Sequence, residues 1–177
     1  MKKLTTLIIL LVLSNILYAQ PTSVYIIRHG EKPKTGNQLT CKGFHRALKL
    51  SQVMYEIIGK ASRIYVPKLE PINGVTEHAR MFQTATPYAI AHGVDIDSSY
   101  SGTAYDDVVK SVNQQTGIVL IVWDHSAIQN LAKAFGVKNP PKWKGKNFDS
   151  IWIINPKTGD IKYSRENIKP SSSCVWG

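Results

Sequence analysis

Acidic residues are scarce in this chain of 177: 12 Asp and Glu face 22 Lys and Arg, a formal net charge of +10 at neutral pH. Such a surface favours anionic partners, namely phosphate esters, nucleic acid or anionic lipid headgroups. Nucleic acid is the weakest of these, because the sequence has no RNA-binding aromatic signature, no zinc-finger spacing and no basic helix. It also lacks an H-E-x-x-H motif or clustered Cys/His ligands, so no metal and no cofactor is expected. There are no internal repeats and no low-complexity segment. Cysteine is limited to Cys41 and Cys174.

Long apolar runs are missing too, apart from Leu7 to Leu13 near the N-terminus. This run follows Met-Lys-Lys and precedes Ser14-Asn15-Ile16-Leu17-Tyr18-Ala19, which together have the anatomy of a signal peptide. The run is short for a membrane span. Ala19 fits the residue before a cleavage point, while Leu17 is large for the minus-three position and leaves an uncleaved anchor as the alternative. Gln20 stands where a lipoprotein would have cysteine. The expectation is a periplasmic or secreted protein of residues 20–177 with no further membrane span. Its 158 residues (177 less 19) suffice for one domain. Lys2 and Lys3 leave with the signal, so 20 basic residues remain against 12 acidic ones, a formal +8. An oxidising compartment permits a disulfide between Cys41 and Cys174, with two buried free thiols as the alternative.

Two apolar stretches organise the rest. Val24-Tyr25-Ile26-Ile27 runs into Arg28-His29-Gly30-Glu31, and Ile118 to Trp123 runs into Asp124-His125-Ser126. Unbroken apolar runs of this length predict strands covered on both faces, as in a parallel sheet between helices. In such sheets ligands bind beyond the carboxyl ends of the strands. Arg28, His29 and His125 are thereby expected at one edge, with chemistry suited to an anion. Ser126-x-x-Gln129 has capping-box form, which would place His125 at a helix N-terminus.

Between these stretches, apolar residues from Phe44 to Ile58 predict an amphipathic helix stopped by Gly59. Ser62 to Val66 predicts a strand, followed by a Pro- and Gly-bearing loop through Gly74. Thr76 to His92 is expected to be helical, with Thr76 as N-cap, Glu77 in the first turn and Pro87 bending or interrupting it. Val94 to Asp97 predicts a short edge strand. Thr103 is expected to cap a helix reaching about Gln115. Leu131, Ala132 and Phe135 complete a later helix before Gly136, and two strands around Asn155 to Asp160 predict a hairpin.

These residues resemble the histidine phosphatase superfamily, also called phosphoglycerate mutase-like. Arg28-His29-Gly30-Glu31 is similar to its R-H-G motif. Leu39-Thr40 with Gly43, Arg46 and Ala47 is similar to its L-T-x-x-G-x-x-R-A helix start. Arg80 with Gln83-Thr84-Ala85 is similar to its R-x-x-Q-T-A segment, and His125 closes the late apolar strand. The resemblance implies a three-layer α/β/α sandwich with a mostly parallel sheet. It further implies that His29 is the nucleophile and that Arg28, Arg80 and His125 complete the phosphate pocket, Arg28 and Arg80 binding the substrate. Neutral imidazole can attack phosphorus and carry the phosphoryl group covalently, while forked guanidinium groups hold its oxygens. Asp124, where many members carry a small residue, is expected to raise the pKa of His125 or re-aim it.

For the general acid, Asp106 and Asp107 follow Arg80 at about the family's spacing. Asp106 also suits a local capping role, so Asp107 is the candidate, ahead of Asp106 and Asp124. The function expected is an exported phosphomonoesterase acting on a small-molecule or envelope-linked phosphate ester. The alternatives are a catalytically inert anion-binding module of the same fold and a basic surface protein that binds anionic envelope polymers. A glycolytic mutase fits poorly, because its substrates and products are cytosolic.

Overall fold

The computed structural model describes residues 20–174; the expected signal segment, residues 1–19, lies outside them, as does Trp176. The elements are β1 (Ser23–Arg28), α1 (Cys41–Ile58), β2 (Arg63–Tyr65), β3 (Glu70–Ile72), β4 (Val75–Glu77), α2 (Ala79–His92) and β5 (Ile96–Asp97). They continue with α3 (Tyr105–Val112), β6 (Ile118–Trp123), α4 (His125–Ala134), β7 (Ser150–Ile154) and β8 (Ile161–Arg165).

Six strands form one sheet in the order β5-β2-β6-β1-β7-β8. The first four are mutually parallel, and β7 and β8 extend the sheet antiparallel to their neighbours. Side chains alternate across a strand, so each apolar run feeds two cores. Val24, Ile26, Val119, Ile121 and Trp123 pack under α3 and α4 on one face. Ile27, Leu120 and Val122 pack under α1 and α2 on the other. The result is the three-layer α/β/α architecture, and burial of β1 and β6 on both faces accounts for their lack of polar alternation.

Thr40 caps α1, its hydroxyl accepting from the Gly43 amide at 3.1 Å. Gly43 is where the chain after β1 lies on this helix: a Cβ there would stand 2.2 Å from the Glu31 carbonyl oxygen. Cys41 and Cys174 are bridged, with Cα atoms 5.2 Å apart, which ties the tail to the start of α1. Deeper along the same surface, Arg46 holds Glu31 through two hydrogen bonds (3.0 and 2.9 Å) and Glu166 through a third (2.7 Å).

Three local expectations are corrected. The Pro/Gly loop after β2 contains the β3–β4 hairpin, so Thr76 and Glu77 lie in a strand rather than at a helix start. Asn73 and Gly74 turn that hairpin with φ of 51° and 76°, the geometry for which Asn-Gly is suited. Helix α2 begins at Ala79 after a left-handed His78, and Pro87 lies inside it without ending it. Thr103 does not cap α3, which follows Ala104 without a side-chain cap and ends at Val112. At α4 the cap is Asp124 instead of Ser126: the carboxylate accepts from the Ser126 amide at 2.9 Å and from its hydroxyl at 2.6 Å.

Candidate active site

β1 and β6 are parallel neighbours, with Arg28 level with Trp123, so both deliver their next residues to the same sheet edge. His29 continues the ladder by donating its amide to the Trp123 carbonyl at 3.3 Å. Its ring is wholly buried. Nδ1 lies 2.6 Å from the Gly30 carbonyl, which can only accept, so Nδ1 carries the proton and Nε2 is turned toward the pocket. Gly30 is held in turn: its amide donates to Thr84 Oγ1 at 2.9 Å, and that hydroxyl donates to the Arg80 carbonyl at 2.7 Å. The Q-T-A stretch of α2 thus positions the end of β1, and Gln83 also accepts from the Leu39 amide at 3.0 Å.

Arg28 is almost completely buried. Its guanidinium donates to the Gly145 and Asn147 carbonyls (2.6 and 3.3 Å) and lies 3.8 Å above the Phe148 ring. Phe148 also stands edge-on to His29, with centroids 6.2 Å apart. Burial lowers the Arg28 pKa to about 10, Asp124 opposing this and Arg80 adding to it, so the group stays charged at neutral pH. Arg80, on the first turn of α2, donates to the Gly36 carbonyl and to Asn37 Oδ1, both at 3.2 Å. The loop from Gly145 to Phe148 and Asn37 are contributions that the linear motifs did not point to. The sequence leading into that loop, Asn139 to Lys146, is rich in Pro, Lys and Trp and has no periodicity.

Asp124 sits at the centre. Its Oδ2 is 3.5 Å from His29 Nε2 and its Oδ1 is 3.1 Å from His125 Nδ1. Burial alone would raise its pKa, but His29, Ser126 and the charge of His125 outweigh that and hold the carboxyl well below the usual range. The His125 pKa is lowered as well, by burial first and then by the nearby Arg28, with Asp124 opposing. The expected upward push by Asp124 is therefore present but outweighed. The structure thus brings together Arg28, His29, Arg80, Asp124 and His125. It does not bring Asp106 or Asp107, which are exposed on the first turn of α3. The carboxylate against His29 is the one beside the second histidine.

His29, Asp124 and His125 also place three potential ligand atoms within 4.8 Å of one another, so a small metal ion could be held there. The two guanidinium groups alongside favour an anion instead. A cavity of about 420 Å³ opens from Arg80 and Asp124 toward Glu70, Glu77, Ser101 and Tyr105.

No protein-family model and no curated protein matches the sequence. Solved structures do match the fold. YhfR of Bacillus stearothermophilus superposes with a TM-score of 0.55 at 16% identity, over 81% of this chain and 96% of that one. The chain has the histidine phosphatase fold. Phosphoserine phosphatase of Entamoeba histolytica, solved with 3-phosphoglyceric acid, gives a TM-score of 0.53 at 15% identity, over 83% of this chain and 98% of that one. The protein histidine phosphatase SixA, solved with tungstate, gives 0.52 at 14% identity, over 80% and 94%. The histidine phosphatase architecture accounts for the order of the sheet and for the two strand ends that meet at Asp124.

Proposed function

We propose that this protein is a phosphomonoesterase that works through a phosphohistidine on His29. The observation that carries this reading is the orientation of His29. With Nδ1 committed to the Gly30 carbonyl, the buried Nε2 faces a pocket edged by Arg28, Arg80 and His125. A phosphoryl group in transfer spreads negative charge over its oxygens, and fixed cationic donors around it lower the barrier. The neighbours of the same fold include phosphatases, one of them solved with tungstate, an oxyanion of phosphate-like shape and charge.

The place of Asp124 assigns the proton. With Nδ1 holding the ring proton, the Nε2 lone pair is free to attack, and Asp124 Oδ2 lies 3.5 Å from it. When the phosphate dianion arrives, a second anion beside Asp124 favours protonation of the carboxylate. The carboxylate takes up that proton from solvent, and the Nε2 lone pair attacks phosphorus. As the P–O bond breaks, Asp124 gives that proton to the leaving oxygen. In the second half the carboxylate takes a proton from the attacking water, the N–P bond breaks, and Nε2 is restored. The reading replaces Asp107 with Asp124 as the acid, because only the latter reaches the nucleophile.

Export belongs to the same proposal: the signal anatomy of residues 1–19 and the 41–174 disulfide both suit an oxidising compartment. Among the described residues no helix is long and apolar enough to cross a membrane. Mass spectrometry of the protein recovered outside the cytoplasm should show Gln20 as the first residue; retention of residues 1–19 would remove this part. For the chemistry, brief incubation with a radiolabelled phosphate ester and alkaline quenching should trap an alkali-stable, acid-labile label on wild type and none on His29→Ala. Turnover of an aryl phosphate without any such label would rule out the covalent route.

A further inference from the structure

The cavity beside the nucleophile is electrically two-ended. Arg80 forms one wall, and the other carries Glu70 and Glu77 with the hydroxyl-bearing Ser101 and Thr103. Glu70 and Glu77 are directly opposite one another in the β3–β4 hairpin, and both are half-buried. Like charges at such a position destabilise a hairpin. The chain has 22 Lys and Arg, yet among the described residues no ion pair neutralises either acid.

One oxygen of Glu77 accepts from Asn37 Nδ2 at 2.8 Å, and the other end of the same amide accepts from Arg80 at 3.2 Å. Asn37 therefore sets the spacing between the phosphate-binding cation and the acid. At the opposite pole Arg80 is nine-tenths buried, and its Nε has no hydrogen-bond partner. Arg80 and two unneutralised carboxylates line one space, which is the arrangement a zwitterionic ligand would complete.

We propose that this cavity receives the alcohol part of the substrate and that this part is cationic. The substrate class is a phosphomonoester of a small amino alcohol or amino sugar. Its phosphate lies at Arg28 and Arg80, and its ammonium lies between Glu70 and Glu77. The inference rests on the phosphatase reading and narrows it. At about 420 Å³ the cavity suits a group of monosaccharide size or smaller. An alcohol bearing a carboxylate would meet Glu70, Glu77 and Asp124 and be repelled.

The test compares three esters of similar size: 2-aminoethyl phosphate, propyl phosphate and carboxymethyl phosphate, with p-nitrophenyl phosphate as the general substrate. Wild type should favour aminoethyl over propyl phosphate by about tenfold in kcat/KM, as expected for one charge-assisted contact, with carboxymethyl phosphate last. Glu70→Gln and Glu77→Gln should each move the aminoethyl-to-propyl ratio toward one. Because the ratio is taken within each variant, any general loss of catalysis cancels. Glu70 takes part in no side-chain hydrogen bond or ion pair among the described residues, so its replacement leaves the Asn37 bridge in place. A wild-type ratio of one or less, or a ratio unmoved in both variants, overturns the inference even while p-nitrophenyl phosphate is turned over. Failure to hydrolyse p-nitrophenyl phosphate as well would instead sink the phosphatase reading and this inference with it.

Discussion

On the mechanism proposed above, replacing Asp124 by Asn removes the proton-transferring group while keeping the cap of α4. Asparagine caps helices as well as aspartate does. Its side-chain oxygen can still accept from the Ser126 amide, now at 2.9 Å, so α4 should keep its start and the melting temperature should hardly change. What is lost is the carboxylate 3.5 Å from His29 Nε2. General acid catalysis is worth about 10²–10⁴-fold, and it acts on the leaving group in proportion to that group's need for a proton. The Asn variant should therefore hydrolyse alkyl phosphates about a hundredfold or more slowly while losing only a few-fold on p-nitrophenyl phosphate, whose leaving group departs without a proton. Asp107→Asn, on the exposed face of α3, should leave both rates unchanged. Steady-state kcat/KM for an alkyl and an aryl ester, measured on both variants, decides the matter. If Asp124→Asn slowed the two ester types equally, or if Asp107→Asn produced the selective loss, the proton route through Asp124 would be refuted.

His29→Ala should abolish turnover and Arg80→Ala should lower kcat by about 10²–10³-fold, as removal of one oriented donor does; vanadate should inhibit wild type, and a His29→Ala rate near wild type would defeat the mechanism. Glu166, buried against Arg46, has its pKa pushed up to about 8 by burial, which Arg46 offsets only in part because it also holds Glu31. Between the ordinary carboxyl range and about pH 8 the folded chain holds a proton that the unfolded chain releases, so this contribution is full at low pH and is lost as pH rises toward 8. Denaturant titrations should show wild type losing on the order of 4 kcal/mol across that window and Glu166→Gln losing far less; parallel profiles would contradict it. Reducing the Cys41–Cys174 bridge, which spans 133 residues, should lower stability by about 3–5 kcal/mol. Urea midpoints with and without reductant report this, and identical midpoints would show that the tail is held by other contacts.

Much of the layering was legible in the linear chain. Val24 to Ile27 and Ile118 to Trp123 are apolar without alternation, because strands covered on both faces have no polar side, and that pattern alone calls for helices above and below. The period of α1, its Thr40 cap and the Gly59 stop are local physics within one turn of helix. The ends of the two strands announced Arg28, His29 and His125, because residues that leave a parallel sheet at its carboxyl edge are already placed in common. The β3–β4 hairpin carried a readable sign in Asn73-Gly74, and it was obscured by the helix-like composition that follows. What no local pattern could decide was which carboxylate meets His29. Asp106 and Asp107 lie at a plausible distance along the chain, but the turn before α3 points them to solvent. Asp124 reaches His29 only because β1 and β6, some ninety residues apart, are parallel neighbours in register. The same is true of Glu70 and Glu77, Asn37 and the Gly145–Phe148 loop, whose meeting around the pocket depends on long-range packing. Sequence determines which side chains stand at strand ends and caps; the tertiary arrangement alone decides which charges face each other across the pocket.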